Sequence, residues 1–330
     1  MLTQTTKSDL THTKNLLAFS AGGDSTALFF LLLEHKISFD IAIVDYGVRE
    51  QSKKEVTYAQ ELAKQYNLKC YLHTAKIIKN NFEANARKIR YDFFEALIQE
   101  HGYDALLTAH HLGDRFEWML MQFCKGAGCA ELSGMKYKDK RGDYTLYRPL
   151  LHLDKQELLK YLHNKGIPYF EDESNEDEKY KRNIFRKNHT VPLLKEYLHG
   201  IKKSFAYLDE DVDELIQECE LTSINQLAYF QDSHSKRSNI YTIDKYLKSL
   251  GHIITANERL FLKENRTLVV GRKYVITQTK SYIFIAPYIQ ASKMSKTFKE
   301  RMRILQIDTK LRGYLALDSE AVALVSRLLQ

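Results

Sequence analysis

Cysteine is scarce in this chain: Cys70, Cys124, Cys129 and Cys219 are the whole set, and no two stand as Cys-x-x-Cys. That rules against a disulfide-stapled secreted module and leaves no thiolate pair at metal-ligand spacing. Proline is equally rare, at 4 residues, beside 14 glycines, and neither gathers into a tract or a repeat. Extensive disorder and low-complexity linkers are therefore not expected. Long apolar runs are missing too. The longest, Ala27 to Leu33, is far shorter than the ~20 residues that cross a bilayer, so no membrane partner is expected. Residues 1 to 15 are polar and form no secretory leader, which points to the reducing cytoplasm.

What is present is an ordinary globular composition, 44% hydrophobic and 28% charged over 330 residues. That length suits about two domains, each with its own core. The net charge of +7 is compatible with a polyanionic partner such as a nucleic acid, although a merely solvated basic surface gives the same number.

The chain is organised around Leu16-Leu17-Ala18-Phe19-Ser20-Ala21-Gly22-Gly23-Asp24-Ser25-Thr26. An apolar strand runs into a glycine turn, and the stretch from Ser25 to Lys36, free of Gly and Pro, continues as a helix. Gly22 and Gly23 supply backbone freedom, while Ser20, Ser25 and Thr26 supply hydroxyls. A turn of N–H groups at a helix N-terminus binds phosphate. Two other phosphate loops are excluded by inspection. No Gly-x-x-x-x-Gly-Lys-Ser/Thr occurs, and Gly126-Ala127-Gly128 meets Glu131 where a dinucleotide fingerprint needs its third glycine.

Strand-like and helix-like stretches alternate from there: a strand at 39–45, a helix at 52–66 opened by a Ser52-x-x-Glu55 capping box, and a strand at 68–74. A helix at 82–101, a strand at 105–109, a helix near 114–125, a strand within 144–150 and a helix at 154–164 follow. The spacing predicts an α/β domain, a mostly parallel sheet with helices on both faces and ligands at the carboxyl ends of the strands. It is assigned residues 1–200. A helical, acidic linker is expected at 201–220, then a smaller helical or α+β domain at 221–330, with helices at 240–250 and 256–263 and paired strands at 267–275 and 282–289.

Several clusters fall at the expected sheet edge. Asp45, in Val44-Asp45-Tyr46-Gly47-Val48-Arg49, offers a carboxylate and an open turn where an adenosine fits, or simply a strand end. Arg87 and Arg90, three apart on one helix, either grip triphosphate oxygens or form a solvated basic face. If His110 begins or just precedes its helix, His110, Asp114 and Glu117 share one face while Phe116, Met119, Leu120 and Phe123 turn to the core. An imidazole beside two carboxylates accepts a proton, holds Mg2+ or pairs with a cationic substrate; the alternative is a capped helix start with a surface ion cluster. Arg182 and Arg186 stand at i, i+4 after an acidic patch, as internal salt bridges or as a pocket edge.

The turn Ser20-x-Gly22-Gly23-Asp24-Ser25 resembles the pyrophosphate loop of N-type ATP pyrophosphatases. Val44-Asp45-x-Gly47-x-Arg49, Glu83-Ala84-x-Ala86-Arg87, His110-His111, Lys125-Gly126-x-Gly128, Arg148-Pro149-Leu150, Asp172-x-Ser174-Asn175 and Arg182-Asn183-x-x-Arg186 follow in order to about residue 195. Together they resemble the bacterial tRNA(Ile)-lysidine synthetases. The resemblance implies a Rossmann-like fold, ATP and Mg2+ as cofactors, and isoleucine tRNA with anticodon CAU and free L-lysine as substrates; a homodimer is compatible with it. It implies ATP binding at Ser20, Ala21, Gly22, Gly23, Asp24, Ser25 and Asp45, and Mg2+ at Asp24 and Asp114. Catalytic roles go to Asp24, Arg87, His110, Asp114, Glu117 and Arg182, and phosphate or substrate contacts to Arg90 and Arg186. The sequence departs from the usual family pattern at Tyr46, Gly113, Arg115 and Trp118, where histidine, aspartate, glutamine and threonine are usual.

In the second half, Lys236, Arg237, Lys245, Lys248, Arg272, Lys273, Lys296, Lys299, Arg301 and Arg303, with Tyr241, Tyr246 and Tyr274, suit a tRNA-holding arm or a solvated basic surface. Two rival functions keep the same scaffold: a tRNA thiolase, which the cysteine pattern disfavours, and a nucleotide-binding sensor without chemistry.

Overall fold

In the computed structural model the alternation resolves into a six-stranded sheet built on β1 (Asn15–Ala18), β2 (Phe39–Asp45), β3 (Cys70–Thr74), β4 (Ala105–Leu107), β5 (Lys138–Arg141) and β6 (Tyr144–Tyr147). The structure describes residues 1–47, 50–76, 81–171, 181–290 and 293–330. The strand order is β3-β2-β1-β4-β6-β5, parallel throughout except for β5, which lies antiparallel to β6. The chain winds outward from β1 in one direction through β2 and β3, then returns to β4 on the other side. The order thus reverses between β1 and β4, and in open α/β sheets a ligand crevice forms at such a reversal, outside the carboxyl ends.

After an N-terminal helix, α1 (Gln4–Thr11), the helices of this unit cover both faces. On one face α2 (Gly23–Glu34), α3 (Glu50–Gln65) and α7 (Lys155–Asn164) pack together. Leu28, Phe29, Leu31 and Leu32 of α2 cluster with Leu17, Ile41, Leu62, Leu158 and Leu162. Helix α2 is apolar nearly all round because neighbours enclose it. On the other face α4 (Phe82–His101) sets Phe94, Leu97 and Ile98 against Leu16, Leu106 and Leu146. Alternate residues of one strand therefore feed two cores, as the pleat requires. Helices α5 (Leu112–Phe123) and α6 (Cys129–Ser133) follow β4, and α8 (Lys181–Phe185) runs through a π-helical turn at Arg186–Thr190 into α9 (Val191–Leu215), which breaks at Tyr197.

The chain forms two compact units, Met1–Leu208 and Asp209–Gln330. The second is built on an antiparallel sheet, ordered β7-β8-β11-β10-β9, of β7 (Thr222–Ile224), β8 (Leu227–Gln231), β9 (Thr267–Val270), β10 (Tyr274–Gln278) and β11 (Tyr282–Pro287). Helices α10 (Lys236–Ser249) and α11 (Ala256–Glu264) supply Ile243, Leu247 and Leu262 to one face. Helices α12 (Lys296–Ile304), α13 (Thr309–Leu315) and α14 (Ser319–Leu329) supply Met302, Leu311 and Val325 to the other. Among the described residues no helix is long and apolar enough to cross a membrane.

Three local expectations need correction, and one strand was not foreseen. Helix α3 starts at Glu50, so Ser52 lies inside its first turn and not at a capping position. Strand β5 was unexpected: its sequence Lys-Asp-Lys-Arg has no apolar face, as befits a sheet edge whose charges discourage further pairing. The expected strand at 267–275 is broken, since Gly271 and Arg272 both take left-handed φ (+55° and +56°) and turn β9 into β10 as a tight hairpin. Phe123, expected to face the core, is 66% exposed.

Candidate active site

The glycine turn sits at the tip of β1, beside β4 at the sheet's reversal point. Gly22 caps α2 with extended backbone (φ −73°, ψ 162°), and the left-handed residue is Ala21, at φ +58°. Gly23 is there for another reason than the expected backbone freedom. A Cβ on Gly23 would stand 3.0 Å from Leu159 Cδ2 and 3.3 Å from the Tyr169 ring, so the turn is pressed directly onto α7 and the chain beyond it. Ser25 Oγ ties the turn together: it donates to the Gly22 carbonyl (3.1 Å) and accepts from the Ser20 N–H (3.2 Å). From behind, the Phe170 N–H donates to the Ala21 carbonyl (3.0 Å), and Gly22 and Phe170 form a parallel bridge.

Across the crevice, β4 leads into Thr108, His110 and the start of α5. His111 is the N-cap: its Nδ1 accepts from the Gly113 N–H (3.0 Å), and Asp114 Oδ2 accepts from the His111 N–H (3.1 Å). With Nδ1 accepting, Nε2 carries the ring proton. That nitrogen lies 3.8 Å from Asp24 Oδ2 and 3.6 Å from Asp114 Oδ2, so His111 stands between the turn's carboxylate and the helix's. The histidine that bridges the two loops is thus His111. His110, singled out from the sequence, instead makes a hydrogen bond from Nδ1 to Thr108 Oγ1 (2.9 Å). The available signal was Gly113, since a Cβ there would fall 2.7 Å from the His111 ring, and only a glycine lets the imidazole fold back over its own helix.

Behind the carboxylates stand two arginines. Glu117 is 1% exposed and each of its oxygens takes a guanidinium, Oε1 from Arg182 Nε and Oε2 from Arg186 Nε (2.8 Å). Asp114 Oδ1 accepts from Nη2 of both, at 3.3 and 3.4 Å. The i, i+4 pair therefore bridges to α5, while the acidic patch beside it in sequence, from Asp172 on, lies outside the described residues. Arg115 is also structural: its guanidinium donates to the Ser133 carbonyl (2.9 Å) and lies 4.3 Å from the centre of the Phe205 ring.

Burial pushes the Asp24 carboxyl up, with Asp114 adding to the effect, while His111, Lys155 and Arg186 oppose it. Its Oδ1 is buried without a hydrogen-bond partner. Burial also acts upward on Asp114, but the histidines and Arg182 and Arg186 outweigh it and hold that carboxyl well below the usual range. Burial lowers His110 to about 4, with Arg148, Arg87 and Arg182 working in the same direction against Asp114. The imidazole is neutral at physiological pH. Its folded pKa lies below the unfolded value near ~6.5, so its contribution to stability is complete above that pH and is lost as the pH falls towards about 4. His110→Asn is therefore expected to flatten the decline in unfolding free energy between pH 7 and 4.5 by about 2 kcal/mol, allowing for the ring's partial exposure. Parallel urea titrations at the two pH values measure it; identical declines in both proteins would refute it.

Of the other sequence-derived residues, Asp45 ends β2 and accepts from the Gly47 N–H (2.8 Å). Tyr46 donates to the Ala86 carbonyl (3.0 Å) and meets Phe82 edge-on. Arg87 lies 4.9 Å from the centre of the Tyr91 ring, whereas Arg90 acts electrostatically on Tyr46, so the two arginines serve different surroundings. Lys155, at the start of α7, was missed although its charge reaches Asp24. Arg49 and the Asp172, Ser174 and Asn175 segment lie outside the described residues. In the second unit Lys245, Lys248 and Arg303 are paired with Glu218, Asp244 and Glu300.

Residues 1–193 match the PP-loop domain family, and the fold and phosphate turn define a PP-loop protein, a class that uses ATP. The chain is 43% identical over 304 residues to the tRNA(Ile)-lysidine synthase of Helicobacter pylori, covering 92% of this chain and 89% of that one. It is 44% identical over 302 residues to the enzyme of that name from Wolinella succinogenes, covering 91% and 92%. This chain belongs to the tRNA(Ile)-lysidine synthase family. Among solved structures, the U34-tRNA thiolase NcsA from Methanococcus maripaludis with its [4Fe-4S] cluster is similar in fold, with a TM-score of 0.52 at 19% identity, over 65% of this chain and 77% of that one.

Proposed function

We propose that this enzyme converts the wobble cytosine of isoleucine tRNA with anticodon CAU to lysidine, using ATP and free lysine. The observation that carries the reading is the meeting at one sheet edge of a phosphate turn with the His111, Asp24 and Asp114 group and its arginine backing. In the first step oxygen 2 of the cytosine attacks the α-phosphorus of ATP, the bond to the bridging oxygen breaks, and pyrophosphate leaves. In the second the ε-amine of lysine attacks carbon 2, the bond to oxygen 2 breaks, and AMP leaves.

The N–H groups of Gly22 to Ser25 and the N-terminus of α2 suit the phosphates. Lys155 and Arg186, whose charges reach Asp24, add fixed positive charge there, and exposed Arg87 faces charge building up nearer the base. Asp24, with its orphaned Oδ1, would be the hard oxygen ligand to Mg2+, an ion that keeps most of its waters and takes one or two carboxylates, and Asp114 would add negative charge beside it. When bound it supplies charge neutralisation to the phosphates. His110, held neutral, offers a hydrogen-bond acceptor that would orient the incoming amine, whose proton passes to solvent. Glu117, saturated by two guanidiniums, positions Arg182 and Arg186. The basic residues of the second unit offer a surface to the body of the tRNA.

The test is lysine incorporation. Protein, ATP, Mg2+ and radiolabelled lysine are incubated with a CAU-anticodon transcript, and lysine should enter the RNA in step with AMP and pyrophosphate formation. A transcript with uridine at the wobble position should take none. Absence of labelled RNA in the first reaction would refute the reading.

A further inference from the structure

A second cationic cluster lies on α4, away from the phosphate turn. Tyr91 is its centre. The guanidinium of Arg87 lies 4.9 Å from the centre of the Tyr91 ring and that of Arg141 lies 5.1 Å from it. Arg87, Lys88, Tyr91 and Arg141, with the carboxylates Asp92 and Glu95, line a cavity of about 350 Å³ between α4 and β5. Two polar atoms at this place are orphaned: the Tyr91 hydroxyl and Nε of Arg148 are both buried with no hydrogen-bond partner. Arg148 is only 6% exposed, and Tyr91, Asp139, Arg141 and Arg87 are the groups whose charges bear on it.

The charges do not balance. Lys88 is taken by Asp92 (2.5 Å), and Glu95 accepts from the Tyr144 hydroxyl (2.9 Å). Asp139 alone serves both Arg141 (3.2 Å) and Arg148 (4.0 Å), and Arg87 has no ion pair among the described residues. Arg87, Lys88, Arg141 and Arg148 thus stand against the three carboxylates Asp92, Glu95 and Asp139, with two guanidiniums sharing Asp139, beside a buried hydroxyl and a buried N–H that have no hydrogen-bond partner. Unsatisfied buried donors are costly, and an anion with several acceptor oxygens relieves both deficits at once.

We propose that this groove is a phosphodiester-binding site that holds the RNA strand on the approach to the wobble base; it rests on the tRNA-modifying reading above. A triphosphate has the same oxygen chemistry, but the placement favours RNA. The sheet order β1-β4-β6-β5 puts β5 at the far edge from the nucleotide turn. The lysine and arginine that act on Asp24 are Lys155 and Arg186, and neither belongs to the groove. Arg87 and Arg148 do act on His110, at the end of β4. The groove therefore leads away from the reacting corner on the side opposite the turn, where the backbone flanking an inserted base would run.

The test measures binding of the CAU-anticodon transcript by filter retention over a KCl series, with ATP affinity measured separately. Arg141→Gln is expected to weaken tRNA binding about 5-fold near ~0.1 M salt and to reduce the salt slope by roughly one. Tyr91→Phe, which removes only the hydroxyl, is expected to weaken binding by about 2- to 5-fold with the slope unchanged. Arg141→Lys should restore the slope, which separates lost charge from a damaged fold. An unchanged slope in Arg141→Gln overturns the site, and so does lost ATP affinity with tRNA binding intact, which would give the groove to the triphosphate. Lysine transfer by the unaltered enzyme is scored alongside: its absence removes the activity, whereas a flat slope in an active enzyme removes the groove alone.

Discussion

Asp24→Asn is expected to lose at least ~10²-fold in lysine transfer, the scale seen when a single preorganised electrostatic group is removed, while its melting temperature stays level or rises. The two halves have one cause. Asp24 is held beside Asp114 in a partly buried place that raises its carboxyl, so ionising it costs the folded state free energy. An isosteric amide removes that cost without changing shape. It also removes the anionic oxygen whose Oδ1 has no other partner, and with it the donor for Mg2+ and the partner of His111. Raising a function-bearing group's cost while gaining nothing in stability is the usual trade at active sites. Pyrophosphate release and calorimetry on the same preparation decide it; turnover within tenfold of the parent enzyme would remove Asp24 from the chemistry.

Glu117→Gln is expected to do the reverse, lowering stability first and activity as a consequence. Both carboxylate oxygens of Glu117 are engaged, at a side chain 1% exposed. An amide turns one acceptor into a donor facing a guanidinium, and stripping one partner from a buried charge group costs ~3–5 kcal/mol. For a unit of this size that lowers the melting temperature by roughly 10 °C. The π-helical turn at Arg186–Thr190 has Arg186 as its first residue, so losing its anchor also frees Lys181 to Thr190 from α5. A double-mutant cycle with Arg186→Met isolates the pair: strong coupling between the two changes is expected, and simple additivity would mean that the contact is incidental.

The sequence was most readable where periodicity and local chemistry agree. Strand β2 and helix α4 fall on the expected residues because an apolar run and an uninterrupted helical stretch each carry their own signal. The mostly parallel sheet with helices on both faces followed from alternation and crossover length, whereas the strand order and its reversal between β1 and β4 did not. What could not be read was long-range. Nothing near Arg182 and Arg186 indicates that their carboxylates lie 65 to 72 residues earlier, on α5. The choice between His110 and His111 depends on which ring folds over Gly113, a matter of one side-chain rotamer. Strand β5 carries no apolar signal because an edge strand has little to bury. The glycines of the phosphate turn were legible as a motif, but the packing of Gly23 against Leu159 and Tyr169 was not, because those partners belong to a much later part of the chain.

That latch at Phe170 bears on how the enzyme is made. The first strand and the turn leave the ribosome early, yet the backbone that clasps the turn from behind arrives about 150 positions later. Contacts so distant along the chain form late and slowly in folding. A nascent polypeptide therefore completes the clasp behind its phosphate turn only late in the synthesis of its first unit.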